Sequence, residues 1–262
     1  MGDGLRLAVG TFTRIPSGTV TLDGTTARPA LLLAPVAVLP LALAVGAVSA
    51  SVELGVPPLV AAGLSLVVLA HGSRGMHLDG LADVVDALGA GWDRDRALEV
   101  MRRGDVGPMG AVAIVLVLLL QAGSITSLLG SGWQGALLVA GAVLLSRAAC
   151  AQLCTTGTTT ANGSRMAEVF VGSVSTMAAH VLAIVMTAVL LLAAVPALLL
   201  LEAEAVLLGT TVVGVAGALG LVSAILLRDK AVRVLGGVNG DVLGAAVEIA
   251  LTTALVVLTV AW

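Results

Sequence analysis

Three aspartates in the first half of the chain have the spacing of one helix face. Asp79, Asp83 and Asp86 stand at positions i, i+4 and i+7, which at about 100° per residue fall within roughly a 60° arc. Leucines and valines occupy the other side, so the segment is predicted to be an amphipathic helix. Adjacent carboxylates repel one another, and Mg²⁺, which prefers oxygen ligands, removes that penalty. His77 immediately precedes the stripe and is a candidate phosphate contact or proton donor.

A second polar group lies near the C-terminal end, between Gly236 and Glu248. Its glycines, including Gly240, allow backbone N–H groups to approach a phosphate closely. Asp241 and Glu248 are seven residues apart and share one face of a predicted helix within about 20°. Glu248 falls inside an apolar segment, where an isolated acid costs roughly 2.5–3.5 kcal/mol, so it should face a partner or a polar cavity.

Each group also has a purely structural interpretation. The aspartate stripe is also what a solvated acidic helix face looks like, and the second group is also a glycine-rich turn with one structural acid. Between them, residues 93–104 are predicted to form a short helix. Acids stand at its N-terminal end and Arg102 and Arg103 at its C-terminal end, a charge distribution that suits the helix dipole. These arginines can bind a substrate phosphate or anchor the segment at a membrane surface.

The amino-acid composition indicates which class of protein carries these residues. Of the 262 residues 58% are apolar and 11% are charged, against about 25% charged in soluble proteins, and the mean hydropathy is +1.10. This excludes a disordered chain and argues against a soluble domain. The net charge of −3 argues against a nucleic-acid partner, and two cysteines form no disulfide framework.

We therefore predict an all-α integral membrane protein, a polytopic bundle of about seven transmembrane helices that forms a single domain over residues 1–262. The spans are predicted at approximately 29–51, 56–72, 108–129, 134–153, 177–201, 205–227 and 242–261. Catalytic loops are predicted at about 73–107 and 228–241, with short amphipathic helices at the cytoplasmic face.

The charges predict the orientation of this bundle. With the N-terminus in the cytoplasm and the C-terminus outside, every Lys and Arg except Arg147 lies in a cytoplasmic segment, as the positive-inside rule requires. Arg147 is expected near the cytoplasmic end of the fourth span, where it can snorkel. Both acidic groups then lie at one membrane face, where two Mg²⁺ ions could clamp a diphosphate during in-line displacement.

At these residues the sequence resembles the cobalamin synthase family, also called adenosylcobinamide-GDP ribazoletransferases. The resemblance covers nearly the whole chain. Its segments occur in the family's order: Thr13-Arg14-Ile15-Pro16, His77-Leu78-Asp79-Gly80-Leu81-Ala82-Asp83 with Asp86, Arg96 to Gly110, Ser146-Arg147, and Asn239-Gly240-Asp241 with Leu243-Gly244-Ala245 and Glu248.

The resemblance implies an Mg²⁺-dependent membrane enzyme of cobalamin biosynthesis. Adenosylcobinamide-GDP would supply the phosphoryl group, α-ribazole or its 5′-phosphate the attacking hydroxyl, and the products would be adenosylcobalamin or its 5′-phosphate and GMP. The roles assigned on this basis are metal binding for Asp79, Asp83, Asp241 and Glu248, metal binding or general-base action for Asp86, and substrate contact for Arg14, Arg102, His77, Asn239 and Gly240.

Three rival functions are compatible with this composition, and a scaffold subunit without chemistry is disfavoured because it would not need two matched acidic motifs. A membrane phosphotransferase of the CDP-alcohol type would use similar carboxylates, and a cation- or proton-coupled transporter would line a pathway with intramembrane acids. The transporter is disfavoured because the acids cluster at one face. We expect membrane lipid and the two substrates as partners, other cobalamin-assembly enzymes as further candidates, and a multi-pass location in a prokaryotic cell (inner) membrane.

Overall fold

A computed structural model describes residues 2–91, 93–161 and 165–262, and these form a helical bundle. Extended pairing in these residues is confined to the isolated bridges Thr155–Val174 and Thr160–Val238. The helices in the described part of the chain are α1 (Asp3–Phe12), α2 (Gly24–Leu32), α3 (Ala34–Ala37), α4 (Leu39–Ser49), α5 (Pro58–Gly72), α6 (Met76–Gly89), α7 (Arg94–Arg102), α8 (Pro108–Leu128), α9 (Trp133–Leu153), α10 (Arg165–Phe170), α11 (Thr176–Leu198), α12 (Ala203–Leu235) and α13 (Gly240–Leu258).

Within these described ranges, five helices are long and apolar enough to cross a membrane: α8, α9, α11, α12 and α13. Helices α5 and α6 pass the same test only as a pair, and they meet at 87°. An all-α membrane bundle is confirmed, but the count of seven spans is not, because the described residues contain five or six. Helix α6 has 14 residues, too few to cross a membrane alone, and it bends almost perpendicular to α5, so we count only the five long helices as spans.

The first predicted span, 29–51, is not one helix. The segment is divided among α2, α3 and α4, with breaks at Leu33 and Val38. Pro35 and Pro40 lie just after these breaks, in the first turn of α3 and of α4. Proline lacks the N–H that would continue the helix and its ring clashes with the carbonyl four residues earlier, so closely spaced prolines break the span into short pieces.

Helix α12 is longer than predicted. It has 33 residues, about 50 Å at 1.5 Å per residue, against a hydrocarbon core of about 30 Å. The predicted loop at 228–241 is therefore helical as far as Leu235 and turns only at Gly236, whose φ of 80° suits a glycine at a helix end. The two short helices predicted within 73–107 are present as α6 and α7.

The bundle is centred on α9 and α13, whose side chains are mostly buried. Helix α8 begins, α9 ends, α11 begins, α12 ends and α13 begins at the same end of the bundle, which we call the site end. Helices α6 and α7 also lie there. Helices α8 and α11 expose most of their apolar side chains, as helices in contact with lipid do.

Candidate active site

The site is built where α6 crosses the first turns of α13. A Cβ on Gly80 of α6 would lie 2.6 Å from the carbonyl oxygen of Asp241. A Cβ on Gly244 of α13 would lie 3.0 Å from the carbonyl oxygen of Met76. The two helices touch backbone to backbone at these glycines because neither residue has a side chain to separate them. This contact places the aspartate stripe of α6 beside the start of α13.

The crossing brings together three of the predicted metal ligands. Burial, followed by the negative charges of Asp241, Asp79 and Asp86, raises the pKa of Asp83 to about 6. Asp79 is exposed, whereas Asp83 and Asp241 are half-buried. These acids therefore share one electrostatic environment with an excess of negative charge, which a bound cation would relieve.

The donor set fits a magnesium ion that is shared with substrate. In the ranges the structure describes, no three His, Cys, Asp or Glu side chains converge closely enough to hold an ion among themselves. Mg²⁺ keeps several waters and is commonly bound by one or two carboxylates together with substrate phosphates. Pairs drawn from Asp79, Asp83 and Asp241 supply that number of carboxylates.

Asn239 holds Asp241 in place. Its side-chain oxygen accepts a 3.0 Å hydrogen bond from the backbone N–H of Val242 and so caps α13. Its amide nitrogen donates to a carboxylate oxygen of Asp241 at 2.9 Å and to the sulfur of Met101 at 3.2 Å. Asn239 was predicted to contact substrate, and the structure shows both of its polar atoms engaged in positioning Asp241.

A small space, the carboxylate cavity, adjoins these residues. It has a volume of about 190 Å³, and its polar lining side chains include His77, Asp79 and Asp241, with Gly240 beside them. His77 is only 4% exposed, and its Nδ1 has no hydrogen-bond partner within the described residues. A buried nitrogen without a partner is costly, so His77 brings an unsatisfied polar atom to the lining of this cavity.

Asp86 has a different environment from the other two aspartates of the stripe. Its carboxylate accepts hydrogen bonds from the backbone N–H groups of Gly107 at 2.7 Å and Gly110 at 2.9 Å. These are orphan donors at the start of α8, so Asp86 caps that helix from outside. Its predicted role as ligand or base stays a prediction, and either role would compete with these two bonds.

Glu248 lies apart from the cluster, in the interior of the bundle. It is 4% exposed, and it accepts a 2.9 Å hydrogen bond from the amide nitrogen of Gln121 on α8. The same amide donates to Thr252 at 2.9 Å. Glu248 thus has the partner that an intramembrane acid was expected to need, but the structure does not bring it to Asp79 and Asp83.

Arg147 does not snorkel, and that prediction is wrong. It is fully buried, and its Nη1 donates to the carbonyl of Val143 at 3.3 Å and to the hydroxyl of Ser146 at 2.7 Å. Helical side chains point toward the N-terminal end of their helix. In α9 that direction leads away from the site end, so the guanidinium group stays inside the protein.

The two predicted arginine contacts lie at the site end but outside the carboxylate cavity. Arg14 is exposed, and its guanidinium group contacts the ring of His71. Arg102 is exposed at the end of α7 and follows Met101, which contacts Asn239. Asp86 and Asn239 have capping roles that were not predicted from the sequence. The Asn-Gly-Asp sequence before an apolar run signals the second, whereas no local pattern links Asp86 to Gly107.

Fold and site together define a helical membrane protein with a carboxylate-lined candidate site at one end of its bundle. The chain belongs to the cobalamin-5-phosphate synthase (CobS) family, whose model matches residues 4–259. The family resemblance carried by the aspartate stripe and the C-terminal motif is therefore confirmed.

Relatives with a named activity cover most of the chain. A Nocardioides protein called adenosylcobinamide-GDP ribazoletransferase is 42% identical over 260 residues, which are 97% of this chain and 97% of that protein. Proteins of the same name from Frankia casuarinae and Brevibacillus brevis are 35% and 30% identical, over 76% and 78% of this chain and 71% and 76% of their own lengths. No solved structure matches the chain.

Proposed function

We propose that this protein transfers the adenosylcobinamide-phosphate group of adenosylcobinamide-GDP to α-ribazole or its 5′-phosphate. A ribazole hydroxyl oxygen forms a bond to the corrinoid-side phosphorus, the bond to GMP breaks, and the hydroxyl proton is released. The products are adenosylcobalamin or its 5′-phosphate and GMP. The observation that carries the proposal is the carboxylate group at the α6–α13 crossing in a chain that is 42% identical to a ribazoletransferase over 97% of its length.

We propose that Asp79, Asp83 and Asp241 hold Mg²⁺ against the diphosphate. When bound, the ion would neutralise the phosphate charge and stabilise the departing GMP. The chain supports these ligands through two contacts: Asn239 fixes the carboxylate of Asp241, and Gly80 allows α6 to lie against α13. Glu248 is the weaker candidate because Gln121 already binds it in the interior.

Of the two proposed catalytic residues, His77 is the better placed. It lines the carboxylate cavity, and its Nδ1 has no partner among the described residues. Without a proton this nitrogen can accept the hydroxyl proton, and in the other tautomer it can donate to a phosphate oxygen. Asp86 would have to give up its bonds to Gly107 and Gly110 before acting as base. Arg14 and Arg102 are proposed as outer contacts to phosphate, since both are exposed at the site end.

The first test is a product assay. Detergent-purified protein would receive adenosylcobinamide-GDP, α-ribazole or its 5′-phosphate, and Mg²⁺, with GMP and the joined corrinoid followed by chromatography. We expect both products to form and to disappear when EDTA removes the divalent ion. If no corrinoid product forms and CDP-linked donors are accepted instead, the rival phosphotransferase function is correct. Ion uptake into proteoliposomes without covalent product would support the transporter.

We propose that the site end faces the cytoplasm of a prokaryotic cell whose inner membrane, and its lipid, surrounds the bundle. This orientation is supported by Arg94, Arg102 and Arg233, which belong to the helix segments at the site end.

Single cysteines in a cysteine-free background test this orientation. We expect a cysteine at Ser131 or Ala203 to react with an impermeant thiol reagent applied outside whole cells, and one at Arg94 to be protected. The reverse pattern would contradict the orientation. Association with other cobalamin-assembly enzymes is a further proposal.

A further inference from the structure

A second polar cavity lies at the site end, apart from the residues already assigned. It has a volume of about 600 Å³ and lies between the loop after α9 and the last turns of α12. We call it the threonine cavity because the hydroxyl-bearing residues of one loop form much of its wall. The side chains on which the argument depends are Thr155, Thr156, Thr158, Thr159, Arg228 and Arg233.

Arg228 and Arg233 line this cavity because α12 extends beyond the apolar part of the bundle. Arg228 is tied in place: its Nη1 donates to the carbonyl of Gln152 at 3.2 Å and to the hydroxyl of Thr155 at 3.3 Å, and its Nη2 lies 2.9 Å from Asp229. Arg233 is exposed and makes no hydrogen bond or ion pair with the residues the structure describes. Its positive charge is therefore available to an anion.

The threonine cavity is connected to the reaction centre by backbone hydrogen bonds. The N–H of Val238 donates to the carbonyl of Thr159 at 2.9 Å, and the N–H of Ala161 donates to the carbonyl of Val238 at 3.0 Å. The hydroxyl of Thr159 donates to the carbonyl of Gly236 at 3.1 Å. Residues 236–238 lead directly into Asn239, so a ligand in the threonine cavity lies beside the segment that positions Asp241.

The two cavities differ in size, as expected if one holds a phosphate group with its ion and the other holds a larger part of a substrate. A volume of about 190 Å³ suits a phosphate group and its ion, whereas ligand sites for drug-sized molecules occupy about 300–1,000 Å³. The threonine cavity, at about 600 Å³, falls in that range. The Thr159 hydroxyl already donates to a backbone carbonyl but can still accept, and the Thr156 hydroxyl, which has no partner among the described residues, can both donate to and accept from ribose hydroxyls. Arg233 matches phosphate oxygens.

We propose that the threonine cavity binds a base–ribose 5′-phosphate, with Arg233 on the phosphate and the loop threonines on the ribose. This inference rests on the proposed function, which brings two such groups to the site: the guanylate part of the donor and the 5′-phosphate of α-ribazole. The base–ribose 5′-phosphate group that both substrates contain defines the ligand. Binding and kinetic measurements show which of the two substrates occupies the cavity.

The test measures binding of GMP and of α-ribazole 5′-phosphate to full-length protein in detergent by equilibrium dialysis. We expect R233Q to weaken one of them about tenfold, as loss of a charge-assisted hydrogen bond does, and R233K to restore most of the affinity. The matched control is K230Q, an exposed cation on the same helix outside the cavity, which should stay within twofold of wild type. Unphosphorylated α-ribazole and guanosine should bind R233Q and wild type equally.

Weakened binding of GMP would assign the cavity to the donor, with a raised KM for adenosylcobinamide-GDP. Weakened binding of α-ribazole 5′-phosphate would assign it to the acceptor. If R233Q binds both ligands as K230Q does, or if wild type binds neither, the inference is overturned even when the enzyme turns over. If wild type binds and R233Q does not, but no corrinoid product forms, the proposed function fails and the binding site stands.

Discussion

Replacing Asp83 by Asn is expected to abolish transfer while leaving the fold intact. Asn has nearly the same size but lacks the charge that binds a cation. Metal stabilisation of phosphoryl transfer is worth several kcal/mol, and about 1.4 kcal/mol is a factor of ten in rate, so we expect a loss of roughly a thousandfold. The rate of GMP release at saturating substrate measures it.

The same variant is expected to be at least as stable as wild type. The pKa of Asp83 is raised to about 6 by burial and neighbouring acids, so its ionised form destabilises the folded state at neutral pH, and Asn removes that charge. A thermal unfolding scan in EDTA, without divalent ion, should show an equal or higher midpoint. The matched control is Asp95→Asn, which removes an exposed acid on α7 and should keep wild-type turnover. Normal turnover by Asp83→Asn would remove this aspartate from the metal site.

Replacing Gly80 by Ala is expected to damage both stability and activity. The added Cβ would lie 2.6 Å from the carbonyl oxygen and 2.9 Å from the Cα of Asp241. Since both atoms are backbone, relief requires α6 to move away from α13. Overpacking of this kind costs about 1–3 kcal/mol, and a 1 Å displacement of reacting groups can cost about a hundredfold in rate. Thermal unfolding and GMP release would be measured together.

Gly89→Ala in the same helix separates this effect from the general effect of alanine. A Cβ on Gly89 would meet only the side chain of Met109 at 3.5 Å, an ordinary van der Waals contact, and alanine favours a helix over glycine by about 1 kcal/mol. We expect this variant to be as stable as wild type or more so, and fully active. Equal behaviour of the two alanine variants would contradict the close contact between α6 and α13.

The parts of the site that follow a helical period could be predicted from the sequence. The spacing of Asp79 and Asp83 places them on one face of any helix, and a scarcity of charge makes such a face unusual in a membrane protein. The charge sorting indicated that Asp241 belongs at the same end of the bundle. None of these inferences required knowledge of which helices touch.

The remaining features depend on tertiary contacts that no local pattern contains. Asp86 continues the stripe, yet its carboxylate caps α8 because that helix begins beside it. Arg147 looked like an interfacial residue because hydropathy places it near a span end, but its side chain follows the helix direction inward. The end of α12 was placed too early because charged residues such as Arg228 lower the local hydropathy without ending the helix.

The crossing of α6 and α13 also has a consequence for the order of synthesis. About 160 residues separate Asp79 from Asp241, and translation proceeds from the N-terminus. The nascent chain can therefore bond Asp86 to the start of α8 early, but it carries Asp79 and Asp83 through most of its elongation without Asp241 beside them. Synthesis of α13 supplies the backbone surface that fits Gly80 and the carboxylate of Asp241. A chain made only as far as α12 therefore lacks Asp241 and the surface that fits Gly80, and α13 adds both.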